Sequence, residues 1–458
     1  MKYRAPEIVI SRDAVFANDR LNREDVVEFL VNHVEQVDAP YVIAIDAPFG
    51  NGKSTLVRML EASLDKETVS AIYVNLWEHD FTGDPLVPII VALQEGGTSE
   101  SSRKHWESAK RWGGAIVKHG AVAAVRAATL GVLDLDKDIE KVASDATGAL
   151  TSDVVTAFQE ERKSIAVFKQ EVEKAIQAGT KEGRKGKLVV ILDELDRCRP
   201  SFAIETLERI KHLFNVEGLI FVLSVDKSQL EASVAAIYGE RIDAGEYLRK
   251  FFDMEFGIPA AADDRFTGSL LSRFELDNIF SSRKGATTSS DRDNFVKFFT
   301  KLADAYSLSL RARERCVARL CIVLSQTTIR EYLDPVLVAL LIVIRARDKV
   351  LFDRITNGFM GSEQVIETLE SLPHFSADQH SPILGAIEGY LLAGDRNESR
   401  RNQRLTALKS GTATASDGRG RQYEHSLRLY ENLINGERGD IDLRAVARKV
   451  DIAAHVRN

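Results

Sequence analysis

The chain has 458 residues, of which 44% are hydrophobic and 28% are charged, and its formal net charge is −7. This balance is typical of a folded protein with a large buried core and unlike that of a disordered chain. The negative charge disfavours nucleic-acid binding through bulk electrostatics, so such binding would need a local basic patch.

The cysteines and the N-terminal residues indicate in which cellular compartment the protein is expected. Cys198, Cys316 and Cys321 have no metal-ligand spacing, which argues against a zinc site and against a disulfide framework. Residues 1–15 mix charged residues with single apolar ones and lack the apolar stretch of a secretory signal. We therefore expect a cytoplasmic protein.

Short apolar runs predict the strands of a sheet. The runs at 41–45, 188–192 and 219–225 are too short for typical helices, a fourth at 71–76 is rich in Ile, Tyr and Val, and a fifth lies at 254–258. Helical patterns lie between the runs. This alternation predicts an α/β fold with a doubly wound, mostly parallel sheet.

The helical regions set the predicted domain boundaries. After Pro200, the apolar residues of 204–214 share one helical face, which we expect to pack on the sheet. Beyond residue 260 the patterns are helical, with a loop expected at Ser410–Gly420. The predicted parts are a first core segment at 1–76, a largely helical insertion at 77–186, a second core segment at 187–260 and a helical C-terminal domain at 261–458.

The first run continues into a glycine-rich loop with the sequence DAPFGNGKST at residues 46–55, and a helical pattern follows directly. Strand, glycine loop and helix in this order are the context of a P-loop, the phosphate-binding loop of many nucleotide-binding proteins. Ala47 stands where the usual motif has its first glycine. The intact GKST segment makes this departure minor.

The composition of the loop fits phosphate binding. Gly50 and Gly52 permit the backbone geometry in which successive N–H groups face one concavity. Lys53 is expected to act in catalysis by neutralising the β and γ phosphates, and Ser54 to place its hydroxyl on Mg²⁺. The predicted nucleotide-binding residues are Gly50, Asn51, Gly52, Lys53, Ser54 and Thr55.

The run at 188–192 ends in two acids, as a Walker B segment does. We expect Asp193 to hold Mg²⁺ and Glu194 to polarise the attacking water, a general-base role that a metal ligand cannot also fill. We also expect this strand to neighbour the strand that precedes the P-loop.

Several segments resemble the KAP family of P-loop NTPases. The acids continue as Leu-Asp-Arg-Cys-Arg-Pro at 195–200, as in that family. Further similar segments are Val74–Glu78, where Leu76 replaces the family's proline, Phe221–Asp226, and Tyr247–Phe252. The resemblance extends over roughly residues 19–319, and the chain looks like a soluble member.

The resemblance implies roles for further residues. Asp226 looks like a sensor acid for the γ phosphate or the lytic water, although a helix N-cap is an equal alternative. Arg311 resembles a sensor arginine, with Arg313 as its alternative and a solvated basic helix face as the plain reading. Arg197 is either an arginine finger acting on a neighbouring subunit or the internal partner of Asp196 or Glu194.

Asn75 and Trp77 belong to the Val74–Glu78 segment, and two readings are open for each. An Asn near a sheet edge can position a water molecule, whereas a Trp is more often a core residue, so we leave Trp77 out of the predicted site.

Residues 113–133 form the most apolar long stretch, and KAP proteins often carry membrane helices in this part of the chain. Lys118, His119 and Arg126 interrupt the stretch, which makes a membrane-spanning helix costly. We expect it to pack against protein, with membrane contact as the alternative.

The resemblance implies an Mg²⁺-dependent ATPase that acts as a switch in a larger assembly, with ATP favoured because no guanine-reading Asn-Lys-x-Asp segment occurs. Protein partners and a homo-oligomer are implied, and similar prokaryotic proteins often belong to antiviral defence systems. A nucleotide-gated scaffold with negligible turnover and a DNA-stimulated ATPase remain as alternatives.

Overall fold

The computed structural model divides the chain into two compact units: a sheet unit, Ile8–Pro259, and a helical unit, which combines Met1–Glu7 with Ala260–Asn458. The residues that the structure describes are 2–3, 6, 8–66, 69–96, 100–129, 149–180, 185–258, 263–282, 291–328, 333–372, 377–414, 418–435 and 443–455.

A parallel sheet organises the sheet unit. Its described strands are β1 (Tyr41–Asp46), β2 (Ser70–Asn75), β3 (Leu188–Asp193), β4 (Leu219–Val225) and β5 (Met254–Gly257). They lie in the order β2-β3-β4-β1-β5, and each neighbouring pair is parallel. The predicted α/β fold with a parallel sheet is therefore confirmed.

Helices cover both faces of this sheet. They are α1 (Glu24–Gln36), α2 (Lys53–Lys66), α3 (Leu86–Gly96), α4 (Glu100–Thr129), α5 (Ala149–Thr180), α6 (Pro200–Leu213), α7 (Lys227–Tyr238) and α8 (Ala244–Arg249). Short 3₁₀ helices lie at Leu76–Thr82 and Leu195–Arg197.

Successive side chains of the central strands point to opposite faces of the sheet, so the core has two layers. In β4, Ile220 and Val222 pack with residues of α1 and α2 on one face, whereas Phe221 and Leu223 face the other layer. Every residue of β3 and β4 is buried, as expected for strands covered on both sides. The apolar face of α6 packs in the second layer as predicted, since its residues 202–204, 207, 210 and 213 belong to that cluster.

The first half of α4 and the second half of α5 pack in the same core layer. Phe168 of α5 meets Phe214 edge to face with 5.5 Å between ring centroids, and Phe214 meets Phe221 of β4 at 5.3 Å. Trp106 and Ile116 of α4 are buried in this layer as well. The segment between β2 and β3 thus contributes directly to the packing on the sheet.

The apolar stretch at residues 113–133 lies on α4 up to Thr129, and residues 130–133 fall outside the described ranges. In the part of the chain that the structure describes, no helix combines the length and the apolar character needed to cross a bilayer.

The described helices of the helical unit surround one buried helix. They are α9 (Asp264–Arg273), α10 (Asp277–Ser282), α11 (Asp291–Ala305), α12 (Leu310–Ser325), α13 (Pro335–Arg347), α14 (Lys349–Thr356), α15 (Ser362–Glu370), α16 (Ala377–Gly394), α17 (Glu398–Thr414), α18 (Gly418–Asn435) and α19 (Leu443–His455). Residues 335–344 of α13 are all buried, so this helix forms the centre of the unit.

The loop predicted at Ser410–Gly420 is wrong for residues 410–414, which complete α17, and for residues 418–420, which begin α18; residues 415–417 lie outside the described ranges. Gly411 lies so close to Tyr423 of α18 that an added Cβ would fall 2.7 Å from its ring. The small residues that suggested a loop permit close packing of two helices at this point.

We predict that Phe214→Ala lowers the free energy of unfolding of the sheet unit by about 3–5 kcal/mol, because it removes the ring that joins α5 to β4. Urea unfolding measures the loss. Phe81→Ala is the control, because Phe81 is 83% exposed and its truncation should change stability by less than about 0.5 kcal/mol. Equal effects of the two substitutions would contradict the prediction.

Candidate functional site

The carboxyl ends of β1, β3 and β4 lie at one edge of the sheet and bring the predicted motifs together. We expected the strand that ends in Asp193 to neighbour the P-loop strand; this is wrong, because β4 lies between β1 and β3. Two strand spacings separate β1 from β3 by roughly 9–10 Å. The P-loop and the acids after β3 therefore lie on either side of the end of β4.

The P-loop connects β1 to α2. Gly50 and Gly52 have φ angles of 81° and 77°, the left-handed region that glycine adopts without steric cost. Lys53 is buried, and its ammonium donates a hydrogen bond to the carbonyl oxygen of Ala47 at the start of the loop. The lysine chain therefore folds back along the loop, and Ser54 and Thr55 follow it in the first turn of α2.

Asp193 ends β3 and is almost completely buried, with 1% exposure. One carboxylate oxygen accepts a hydrogen bond of 2.9 Å from the Tyr73 hydroxyl, and the other accepts one of 2.9 Å from the Glu194 N–H. Burial and the Asp193 charge raise the pKa of Tyr73, so the phenol stays a donor. Sequence reasoning missed Tyr73, because it lies on another strand.

Glu194 follows directly and has a left-handed backbone with φ 61°, a conformation uncommon for a residue with a side chain. Its carboxylate forms an ion pair of 2.8 Å with Arg197 Nη1. Of the two alternatives for Arg197, the structure contains the internal pair, and its partner is Glu194.

Two aromatic rings flank the Arg197 guanidinium, with the Phe49 ring at 5.4 Å and the Trp77 ring at 5.5 Å. The expectation that Trp77 is a core residue is wrong, since 53% of it is exposed. The reason is its place on the 3₁₀ helix after β2, outside the sheet. Asn75 caps that helix, because its oxygen accepts a hydrogen bond of 3.2 Å from the Trp77 N–H.

Asp226 directs its carboxylate to the P-loop. One oxygen accepts a hydrogen bond of 3.1 Å from the Phe49 N–H, and the other accepts one of 2.6 Å from the Ser228 hydroxyl. Asp226 occupies the N-cap position of α7, but its side chain makes no capping hydrogen bond to the helix backbone. The Asp226 carboxylate is thus hydrogen-bonded to the P-loop backbone at Phe49.

Asp196 is a buried acid that sequence reasoning gave no role of its own. Its Oδ2 accepts a hydrogen bond of 3.0 Å from the Asp226 N–H and lies 3.7 Å from Lys53 Nζ. Burial raises its pKa, while the Lys53 charge opposes the shift. Its Oδ1 is buried and has no hydrogen-bond partner among the described residues.

Cys198 follows in the same loop and is inert. Its thiol is buried and contacts the Glu194 carbonyl oxygen at 3.6 Å. Burial raises the pKa of Cys198 to about 12, so the thiolate is not formed at neutral pH.

Arg23 is the second residue that sequence reasoning missed. It precedes α1 and is only 4% exposed, and its guanidinium donates hydrogen bonds of 2.6 Å to the carbonyl oxygens of Gly52 and Asn51. Burial lowers the pKa of Arg23 to about 10, with Asp19 opposing the shift, so the side chain stays charged at neutral pH. The arginine supports the P-loop from the side of α1.

The two candidate sensor arginines lie on α12 of the helical unit. Arg313 is buried, pairs with Asp304 at 2.5 Å and donates to the Leu308 carbonyl oxygen, so it is committed to that unit. Arg311 is exposed. Its action on a nucleotide stays a prediction.

Ser54 and Asp193 are the residues predicted to hold Mg²⁺ at the sheet edge. In the described ranges, no group of three or more His, Cys, Asp and Glu side chains is arranged to hold a metal ion. Asp193 and Ser54 fit the pattern in which Mg²⁺ is held by one or two protein oxygens together with water and nucleotide phosphates.

A family model matches most of the chain. The model of the KAP family P-loop domain matches residues 23–326, a range that begins at Arg23 and contains the P-loop, the acids after β3, Asp226 and Arg311. Among curated proteins, none matches the chain.

We predict that Gly52→Ala weakens nucleotide binding by about tenfold or more. The new Cβ would need a left-handed backbone, which costs roughly 1–2 kcal/mol, and would lie 2.9 Å from Arg23 Nη1. Gly358→Ala is the matched control: its φ is also 77°, but its Cβ would meet nothing closer than 3.6 Å and lies in the helical unit. Titration with a fluorescent nucleotide measures both dissociation constants, and equal values for the two variants would contradict the prediction.

Proposed function

The chain belongs to the KAP family of P-loop NTPases, and on that premise we propose that it hydrolyses ATP to ADP and phosphate with Mg²⁺ as cofactor. One observation carries the proposal: a buried lysine on a P-loop, a buried Asp followed by Glu, and a third acid that contacts the loop backbone meet at one sheet edge. This combination supplies phosphate binding, metal binding and water activation in one place.

In this proposal, residues 50–55 bind the phosphates, with Lys53 moving its ammonium from Ala47 and Asp196 toward the β and γ phosphates. Ser54 and Asp193 hold Mg²⁺, which neutralises charge on the phosphate oxygens when bound. Glu194 orients and polarises the attacking water, and Asp226 responds to the γ phosphate through the Phe49 peptide. Arg311 is the proposed arginine that completes the site.

The ion pair between Glu194 and Arg197 sets a condition for turnover. The Glu194 carboxylate already binds a guanidinium at 2.8 Å, so in this proposal the pair opens before the carboxylate polarises the attacking water. The Glu194 side chain is 16% exposed and the Arg197 side chain 23% exposed. Because little water reaches them, the ion pair is favoured over separate hydration of the two groups. The same contact favours a second candidate, a scaffold that binds ATP and turns over slowly until a partner opens the pair.

We further propose that nucleotide state switches a larger protein assembly in the cytoplasm, with protein partners and a homo-oligomer as the setting and antiviral defence as one biological context. The support is analogy to the family together with the restrained Glu194. ATP rather than GTP is proposed because the sequence contains no guanine-reading Asn-Lys-x-Asp segment.

Steady-state hydrolysis by the purified chain tests the proposal. We expect Mg²⁺-dependent release of phosphate from ATP, loss of nucleotide binding in Lys53→Ala, and a fall of about 10²–10⁴-fold in turnover with binding retained in Glu194→Gln. Glu246→Gln is the control for removing a carboxylate, since the Glu246 side chain is 62% exposed on α8.

The outcomes separate the candidates. Binding without turnover, unchanged by Glu194→Gln, would contradict the ATPase and leave the scaffold. Stimulation by added DNA would support the nucleic-acid alternative. A rate per chain that rises with protein concentration would support an oligomer in which a neighbouring subunit completes the site.

We predict that Arg197→Gln raises basal turnover severalfold, because it releases Glu194 from its ion pair. Arg199→Gln is the matched control: Arg199 lies two residues further along, is more exposed, and pairs with Asp80 instead. A large loss of turnover in Arg197→Gln, with Arg199→Gln unchanged, would contradict the idea that Arg197 holds Glu194 inactive. It would support Arg197 as an arginine finger.

A further inference from the structure

Arg23 lies at the junction between α1 and the P-loop, outside the loop itself. Its position is fixed by Asp19, whose carboxylate accepts hydrogen bonds of 2.9 Å from the Leu21 N–H and 2.5 Å from the Arg23 N–H. From there the planar guanidinium reaches two consecutive carbonyl oxygens, those of Asn51 and Gly52, with two bonds of 2.6 Å. The fork of N–H donors on arginine suits this double contact.

The Gly52 carbonyl oxygen also accepts a hydrogen bond of 3.1 Å from the Leu56 N–H of α2, and this bond and the two Arg23 contacts together fix where the loop's N–H groups face. Both peptide bonds are trans, since the cis bond among the described residues is Ala39–Pro40. In a trans peptide the N–H faces away from the C=O. With the Asn51 and Gly52 carbonyls held toward Arg23, the N–H groups of Gly52 and Lys53 face the opposite side. Those N–H groups belong to the concavity that phosphate oxygens need.

Asp19 is the acid whose charge acts on Arg23, and it only partly opposes the effect of burial on the Arg23 pKa. Among the described residues the guanidinium forms no ion pair with a carboxylate, and its buried Nε has no hydrogen-bond partner. A buried cation without a paired anion is costly, and an anion bound across the loop lowers that cost. The two peptide groups lie between the cation and that anion. Arg23 polarises their carbonyl groups, which strengthens the hydrogen bonds that their N–H groups donate to the anion.

We propose that Arg23 is a positioning residue for phosphate binding: its guanidinium orients the Gly52 and Lys53 N–H groups, and its buried charge favours the phosphates of the bound nucleotide. The proposal rests on the nucleotide binding of the proposed function, not on hydrolysis. It also accounts for glycine at position 52, because a Cβ there would meet Arg23 Nη1 at 2.9 Å.

A matched pair of variants separates this role from a purely structural one. Arg23→Gln removes the positive charge and the pair of N–H donors that contact the two carbonyl oxygens. Lys187→Gln removes a cation that binds three backbone carbonyls, those of Val34, Glu35 and Val37, at the other end of α1. Both substitutions should lower the melting temperature, and only Arg23→Gln should weaken phosphate binding. Arg23→Lys keeps the charge and the bulk, and it serves if the Gln variant does not fold.

The measurement is the dissociation constant of ADP and of pyrophosphate, which carries phosphate groups without a base, for each full-length variant. We expect Arg23→Gln to weaken both by at least about tenfold, Arg23→Lys to recover only part of the loss because it lacks the fork, and Lys187→Gln to match the wild type. Equal affinity in Arg23→Gln and the wild type overturns the proposal. Wild-type chain that binds ADP without hydrolysing ATP contradicts the proposed ATPase and leaves the role of Arg23 intact.

Discussion

Asp226 is the link on which the geometry of the sheet edge depends. Its carboxylate accepts from the Phe49 N–H in the P-loop, and its own N–H donates to Asp196 in the acidic loop after β3. Because β4 separates β1 from β3, the two motif-bearing loops have no strand pairing of their own, and one buried residue at the end of β4 connects both. A shift of the P-loop backbone at Phe49 would therefore reach the acidic loop through this residue.

The sequence was sufficient for the strands and the P-loop because their signals are local. A buried parallel strand is a continuous apolar run, and the glycines at positions 50 and 52 mark left-handed turns without any knowledge of neighbours. Strand order is different, since it depends on which runs pair in space. The P-loop strand and the Asp193 strand have the expected residues, yet β4 lies between them.

The residues that prediction missed act over long sequence distances or against a statistical trend. Tyr73 reaches Asp193 from a different strand, and Arg23 contacts carbonyl groups rather than a side chain, which leaves no trace in the sequence of the loop. Trp77 follows a strand as a core residue often does, but lies on a short 3₁₀ helix where half of its surface meets solvent. Gly411 suggested a loop and instead serves helix packing.

The contact of Trp77 with the Arg197 guanidinium has an optical consequence. The indole lies half in solvent and half against the cation that holds Glu194, so its emission depends on where that cation lies. Of the other two tryptophans, Trp106 is buried in the core and Trp112 is partly buried and packs against the same core. The protein thus contains a fluorophore beside the Glu194–Arg197 ion pair, and a movement of Arg197 would change the surroundings of the indole.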